Sequence, residues 1–177
     1  MKPIDLSNVQ EAGSSVRLPA GGYIVKICFA EDDPSKEYVR VQYDIAEGEY
    51  ANYYADRQRA NPSWAWGGTL YKSYKQTALP MFKRFCSCVT KSNPGYLFDG
   101  NTNADEKTLV DKLMGVVLGE EEYTGNDGTI RTRLYCVTEK PVDEIRAGKF
   151  KVPDKKRLPQ TGGFSDLAAD DSDLPFS

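Results

Sequence analysis

The alternation of apolar and polar positions marks strands before anything else in the chain. Residues 37–46 (EYVRVQYDIA) set Val39, Val41, Tyr43 and Ile45 against Tyr38, Arg40, Gln42 and Asp44, the period-2 pattern of a strand with one buried face. Upstream, 23–30 (YIVKICFA) puts Val25, Ile27 and Phe29 on one face and Lys26 and Cys28 on the other. After Glu47-Gly48, the aromatic run 50–54 predicts a short third strand. Residues 113–122 and 129–138 predict two more, joined by a hairpin turn at 125–128. In the last, Arg131, Arg133 and Tyr135 share one face.

Between these strand groups the period changes. Leu79, Phe82, Cys86 and Val89 recur at helical spacing and predict a helix over 77–90. Thr77 serves as N-cap, Pro80 is tolerated in the first turn, and Asn93-Pro94-Gly95 ends it. A short helix or turn is predicted at 105–112. Asn61-Pro62 and Gly67-Gly68 break any period before the helix, which places Trp64 and Trp66 on an excursion between strands. The order is three strands, a helix, two strands. It predicts an all-β protein with one main helix, built as a five-stranded barrel of the OB type; a β-sandwich is the competing architecture. Residues 1–18 read as a loose arm, 19–159 as the domain, and 160–177 as a disordered acidic tail.

Composition narrows the chemistry. With 177 residues, 40% hydrophobic and 28% charged, the chain suits one globular domain that needs no metal or disulfide staple. The longest apolar runs fall far short of the roughly 20 residues of a membrane helix, and the first residues lack the apolar core of an export signal. A cytoplasmic protein without membrane contact is expected. Histidine is absent, which removes histidine bases, nucleophile partners and metal ligands. The four cysteines include only a Cys86-x-Cys88 spacing rather than paired Cys-x-x-Cys, so reduced thiols are expected, with no metal or cofactor.

Charge is segregated. Residues 160–177 carry four acids and no base, leaving the rest of the chain with 23 bases and 22 acids. Residues 57–98 contain no acid, yet hold Arg57, Arg59, Lys72, Lys75, Lys83, Arg84 and Lys91 together with both tryptophans. Cations that follow phosphates and flat rings that stack on unpaired bases are what single-stranded nucleic acid requires. The candidate binding residues are Tyr53, Tyr54, Arg57, Arg59, Trp64, Trp66, Tyr71, Lys72, Tyr74 and Lys75, extended by Arg40, Arg131 and Arg133 on polar strand faces. Each ring could equally fill the core. Glu120, Glu121, Glu122 and Asp127 do not suggest a nuclease, because consecutive strand residues face opposite ways. No phosphate-cradling Gly-Lys-Ser loop is present, and no catalysis is expected.

The last residues, Asp170, Asp171, Asp173, Leu174, Pro175 and Phe176, run acids into an apolar tip, suited to docking a Leu and a Phe on a basic-rimmed pocket. This tail resembles those of bacterial and phage single-stranded DNA-binding proteins, which end Asp-Asp-Asp-Ile-Pro-Phe or similar. Ser172 interrupts the acids, and Ser177 follows the Phe that is terminal in that group, which alters the contact its partners make with the final carboxylate. Segments within 19–157, among them 19–27, 43–50 and 92–96, resemble small proteins of phages and prophages of Gram-positive bacteria. The resemblance implies sequence-tolerant binding of single-stranded DNA in phage replication or recombination, with partner proteins recruited by the tail. The alternative is a phage structural or adaptor protein whose aromatic loop binds protein. DNA versus RNA preference and any homo-oligomeric state are left open.

Overall fold

The computed structural model describes residues 1–5, 7 and 17–160. Five strands form one antiparallel sheet: β1 (Gly21–Asp33), β2 (Tyr38–Ile45), β3 (Thr69–Ser73), β4 (Leu113–Thr124) and β5 (Ile130–Lys140), in the spatial order β3-β2-β1-β4-β5. Three helices accompany them: α1 (Tyr53–Ala60), α2 (Leu79–Ser92) and α3 (Val142–Arg146), with α2 between the third and fourth strands. The protein is β-rich, and its sheet is open. No backbone ladder joins β3 to β5, so a closed barrel is not formed. No helix of the described residues is long and apolar enough to cross a membrane.

β2 follows its alternation: Val39, Val41, Tyr43 and Ile45 are all buried. β1 departs from its own. The register shifts between Ile27 and Phe29, so Cys28 is the extra residue of a bulge and the side-chain alternation changes phase there. Val25, Ile27 and Ala30 are therefore buried, while Phe29 lies beneath the Arg40 guanidinium, 5.0 Å from ring to cation. On α2, Phe82, Phe85, Cys86, Cys88 and Val89 are buried against the sheet, whereas Leu79, placed by its spacing on the apolar stripe, is exposed at the first turn. Leu18, read as part of the loose arm, is buried, and its N–H donates to the Tyr53 hydroxyl at 3.2 Å.

The predicted third strand at 50–54 is instead the start of α1, and β3 comes fifteen residues later. The cause lies outside the segment. Asn52 takes a left-handed conformation (φ 64°), turning the chain, and has no side-chain cap of its own. The buried carboxylate of Asp44, on β2, accepts N–H bonds from Tyr54 (2.9 Å) and Ala55 (2.9 Å) and so satisfies the first turn of α1 from across the fold. An aromatic run with strand propensity thereby becomes a helix.

After α3 the chain returns as a strap over β1 and β4. Phe150 lies so close on Gly22 that a Cβ there would fall 2.4 Å from its ring, a spacing only glycine permits. Beyond it, Lys156 N–H donates to Glu120 O (2.9 Å) and Glu122 N–H to Lys156 O (2.8 Å), a short parallel pairing on β4 past the end of β1.

The two sheet edges, β3 and β5, meet through side chains. Lys72 of β3 bonds the carboxylate of Glu139 on β5, both buried, and Arg84 of α2 approaches the same carboxylate at 3.6 Å. Lys72 is thus a structural cation and not a free phosphate contact. Removing one member leaves the other buried without a counter-charge, which typically costs about 3–5 kcal/mol. Lys72→Met should show that loss in urea unfolding, and the double variant Lys72→Met/Glu139→Leu should recover most of it. Equal destabilisation by single and double changes would mean the pair is not what joins these edges.

Candidate functional site

The open seam between β3 and β5 widens, away from the Lys72–Glu139 pair, into a cleft of about 630 Å³. Its lining includes Tyr53, Tyr54 and Arg57 of α1, Trp64 and Gly67 of the following loop, and Tyr123, Thr132, Arg133 and Leu134 of the β4–β5 hairpin. Arg17 completes the rim, its guanidinium donating to the free edge of β5 at Thr132 O (2.6 Å). Among the described residues, no carboxylate belongs to the lining.

The cations are held by rings. Arg57 stacks 4.8 Å from the Trp64 ring and 5.6 Å from Tyr53, whose hydroxyl accepts an N–H from the same guanidinium at 2.9 Å. Arg133 lies 4.9 Å over Tyr123, and its Nε–H donates to Glu121 at 2.9 Å on the neighbouring strand. Among the described residues only the Glu121 pair offsets charge at the rim, which leaves these with a net positive charge. Trp64 is 48% exposed and offers a ring face to solvent. Three guanidiniums and three partly open rings, without an acid among the described lining residues, offer the chemistry that suits an anionic ligand with flat groups.

The structure brings Tyr53, Tyr54, Arg57, Trp64 and Arg133 together and disperses the other predicted site residues. Tyr54 belongs to the floor: it is buried against Tyr43 and Trp66, and desolvation pushes its hydroxyl up to about 12. Trp66 is half-buried and donates its indole N–H to Tyr43 O at 2.8 Å, a core role rather than a stacking one. Tyr74 packs on Phe82 and donates to Asp32 at 2.9 Å. Arg59 pairs with Asp56, and Arg131 with Asp127 in the hairpin turn. Arg40 and Tyr71 lie on a separate depression shared with Glu31, Asp32 and Asp33, where Arg40 bonds Glu31 at 2.7 Å. Lys75 is exposed and apart from the cleft lining. Arg17 and Tyr123 escaped sequence reading, the first because it sits at the end of a segment without pattern, the second because it follows three glutamates.

Two of those glutamates are engaged with different partners. Glu121 holds Arg133, while Glu122 accepts the Leu158 N–H (3.0 Å) and pairs with Lys155 and Arg157. All four cysteines are free thiols, and burial pushes Cys86 and Cys88 up to about 11 and Cys136 up to about 12. A second groove of about 760 Å³ along α2 is lined chiefly by apolar side chains such as Leu79, Phe82, Leu97 and Phe98, and lacks the cleft's convergence of cations. The sequence-predicted partner-binding residues Asp170, Asp171, Asp173, Leu174, Pro175 and Phe176 lie outside the described residues. No protein-family model matches the chain, and no curated protein sequence matches it.

The two tryptophans are assigned opposite roles, which thermal and chemical unfolding separates. Trp66→Ala empties a packed site and strips Tyr43 O of its donor, a loss on the order of 3 kcal/mol. Trp64→Ala removes only an exposed ring and one cation–π contact, under about 1 kcal/mol. Equal losses at the two positions would contradict the placement of Trp64 at the surface.

Proposed function

We propose that this chain binds single-stranded nucleic acid in the Arg17–Arg57–Arg133 cleft, sequence-tolerantly and without catalysis. The carrying observation is the convergence of three guanidiniums with Tyr53, Trp64 and Tyr123 around a lining that holds no carboxylate. Phosphates would bridge the arginines, and one or more bases would stack on Trp64, whose open face accepts any base. The tail's resemblance to single-stranded DNA-binding proteins supports DNA as the ligand and phage replication or recombination as the setting.

The architecture supports the same reading. The order β3-β2-β1-β4-β5 with α2 after the third strand is what a partly open OB barrel would give if parted along β3 and β5. The two edges also run the same way. Lys72 of β3 meets Glu139 late in β5, and Gly67 before β3 shares the cleft with Leu134 earlier in β5.

Oligo-dT should quench the Trp64 emission of the purified protein. With three phosphate contacts, log affinity should fall against log salt with a slope of roughly −2. Trp64→Ala should weaken binding by about 1–3 kcal/mol and remove the quench, while Lys75→Ala changes neither. Absence of salt-dependent binding to oligo-dT and oligo-U alike would reject the proposal.

Residues 161–177 we assign to partner recruitment and to competition with DNA. The described chain leaves the sheet at Leu158, bonded to Glu122 next to Tyr123 of the cleft wall. Four tail acids tethered there act at an effective concentration near millimolar. Deleting 161–177 should tighten oligo-dT binding several-fold at low salt and much less at high salt, where screening weakens the competitor too. An unchanged low-salt affinity would leave the tail no part in the cleft.

A further inference from the structure

The sequence reads Lys155-Lys156-Arg157 as an undistinguished basic stretch near the end of an irregular segment. Its pairing on β4 divides the three cations. Lys155 and Arg157 turn to the Glu122 carboxylate, at 3.4 and 3.8 Å, and share that one counter-charge. Lys156, between them, points to the opposite face, as strand alternation requires. It is exposed, takes part in none of the ion pairs among the described residues, and stands 4.1 Å over the Tyr135 ring. Tyr135 in turn lies across Gly119, where a Cβ would come within 3.1 Å of the ring. The ammonium is therefore positioned by a ring that is itself fixed by its neighbour, and its donors face solvent.

The same face continues to the cleft. Glu121 is opposite Arg133 in the β4–β5 ladder and bridges Lys156 on its other side. Arg133, Glu121 and Lys156 thus form one row across three strands, two strand spacings or about 10 Å from end to end. Arg133 stands over Tyr123 at the cleft wall, and Lys156 over Tyr135 outside it. Each end repeats the same unit, a cation held above a tyrosine.

Resting on the binding proposed above, we infer that Lys156 and Tyr135 form a second phosphate subsite for the same strand. The strand leaves the cleft past Arg133 and crosses the outer face of the hairpin to reach it. Tyr135 keeps the ammonium in place instead of stacking, because Lys156 covers a ring face and the ring packs closely on Gly119. Glu121, between the two cations, opposes the crossing and sets its strength.

The test compares a short oligonucleotide that fills only the cleft, dT4, with dT20, for the full-length protein and four variants. Lys156→Ala should leave dT4 affinity and the melting temperature unchanged. It should weaken dT20 binding several-fold and make the dT20 salt slope shallower by about 0.7, one phosphate contact. Lys156→Arg should restore both. Glu121→Gln should tighten dT20 binding by more than it tightens dT4 binding. A Lys156→Ala protein with wild-type dT20 affinity and slope, alongside a Trp64→Ala protein that has lost affinity, overturns the subsite and leaves the cleft standing. A wild-type chain that binds neither oligonucleotide overturns both.

Discussion

The buried carboxylate of Asp44 is the contact on which the functional half of this fold depends. It ends the N-terminus of α1, and α1 carries Tyr53 and Arg57 into the cleft. The loop that follows α1 brings Trp64 onto Arg57 and seats Trp66 on the backbone of Tyr43, one residue before Asp44 itself. One side chain on β2 thus fixes a helix, a loop and both tryptophans relative to the sheet. Without a carboxylate there, the first turn of α1 would bury N–H groups with no acceptor, a cost of about 1–3 kcal/mol for each. The cleft wall would lose its anchor while the sheet core beneath it, built from β1, β2 and β4, kept its packing.

The second organising feature is the parting of β3 from β5. At one end a buried ion pair, with Arg84 of α2 close by, holds the strands near each other without backbone pairing. At the other the strands diverge and the space fills with arginines and rings. The same pair of edges therefore yields a closed, charged junction at one end and an open, charged cleft at the other. What separates them is whether a carboxylate from across the seam reaches the cation.

Much of this was legible in the sequence. The alternation of β2, the helical stripe of α2 and the hairpin of β4 and β5 are local patterns that local physics decides. The misread elements share one cause: their partners are distant. Residues 50–54 look like a strand until Asp44 supplies the helix cap, and Phe29 looks inward until the Cys28 bulge shifts its phase. The cleft residues divide the same way. Tyr53, Arg57, Trp64 and Arg133 stood out by composition, whereas Lys72 stood out for the same reason and is an internal ion-pair member. Charge type along the chain cannot tell a cation that meets solvent from one that meets Glu139. Arg17 and Tyr123 matter only because the sheet curls until they face α1.

The unladdered seam also bears on how the sheet's edges are guarded against pairing with a second copy. Exposed strand edges are templates for another chain's strand, and natural sheets blunt them with charges that point inward from the edge. Lys72 is such a charge on β3, and its engagement with Glu139 closes that stretch of β5 to a visiting strand. The unguarded length of β5 is the part beside Thr132, where the Arg17 guanidinium already occupies an edge carbonyl. The open cleft is thus also a stretch of strand edge without a backbone partner. A bound strand of nucleic acid, filling it with phosphate charge, would act on this fold as an antiaggregant.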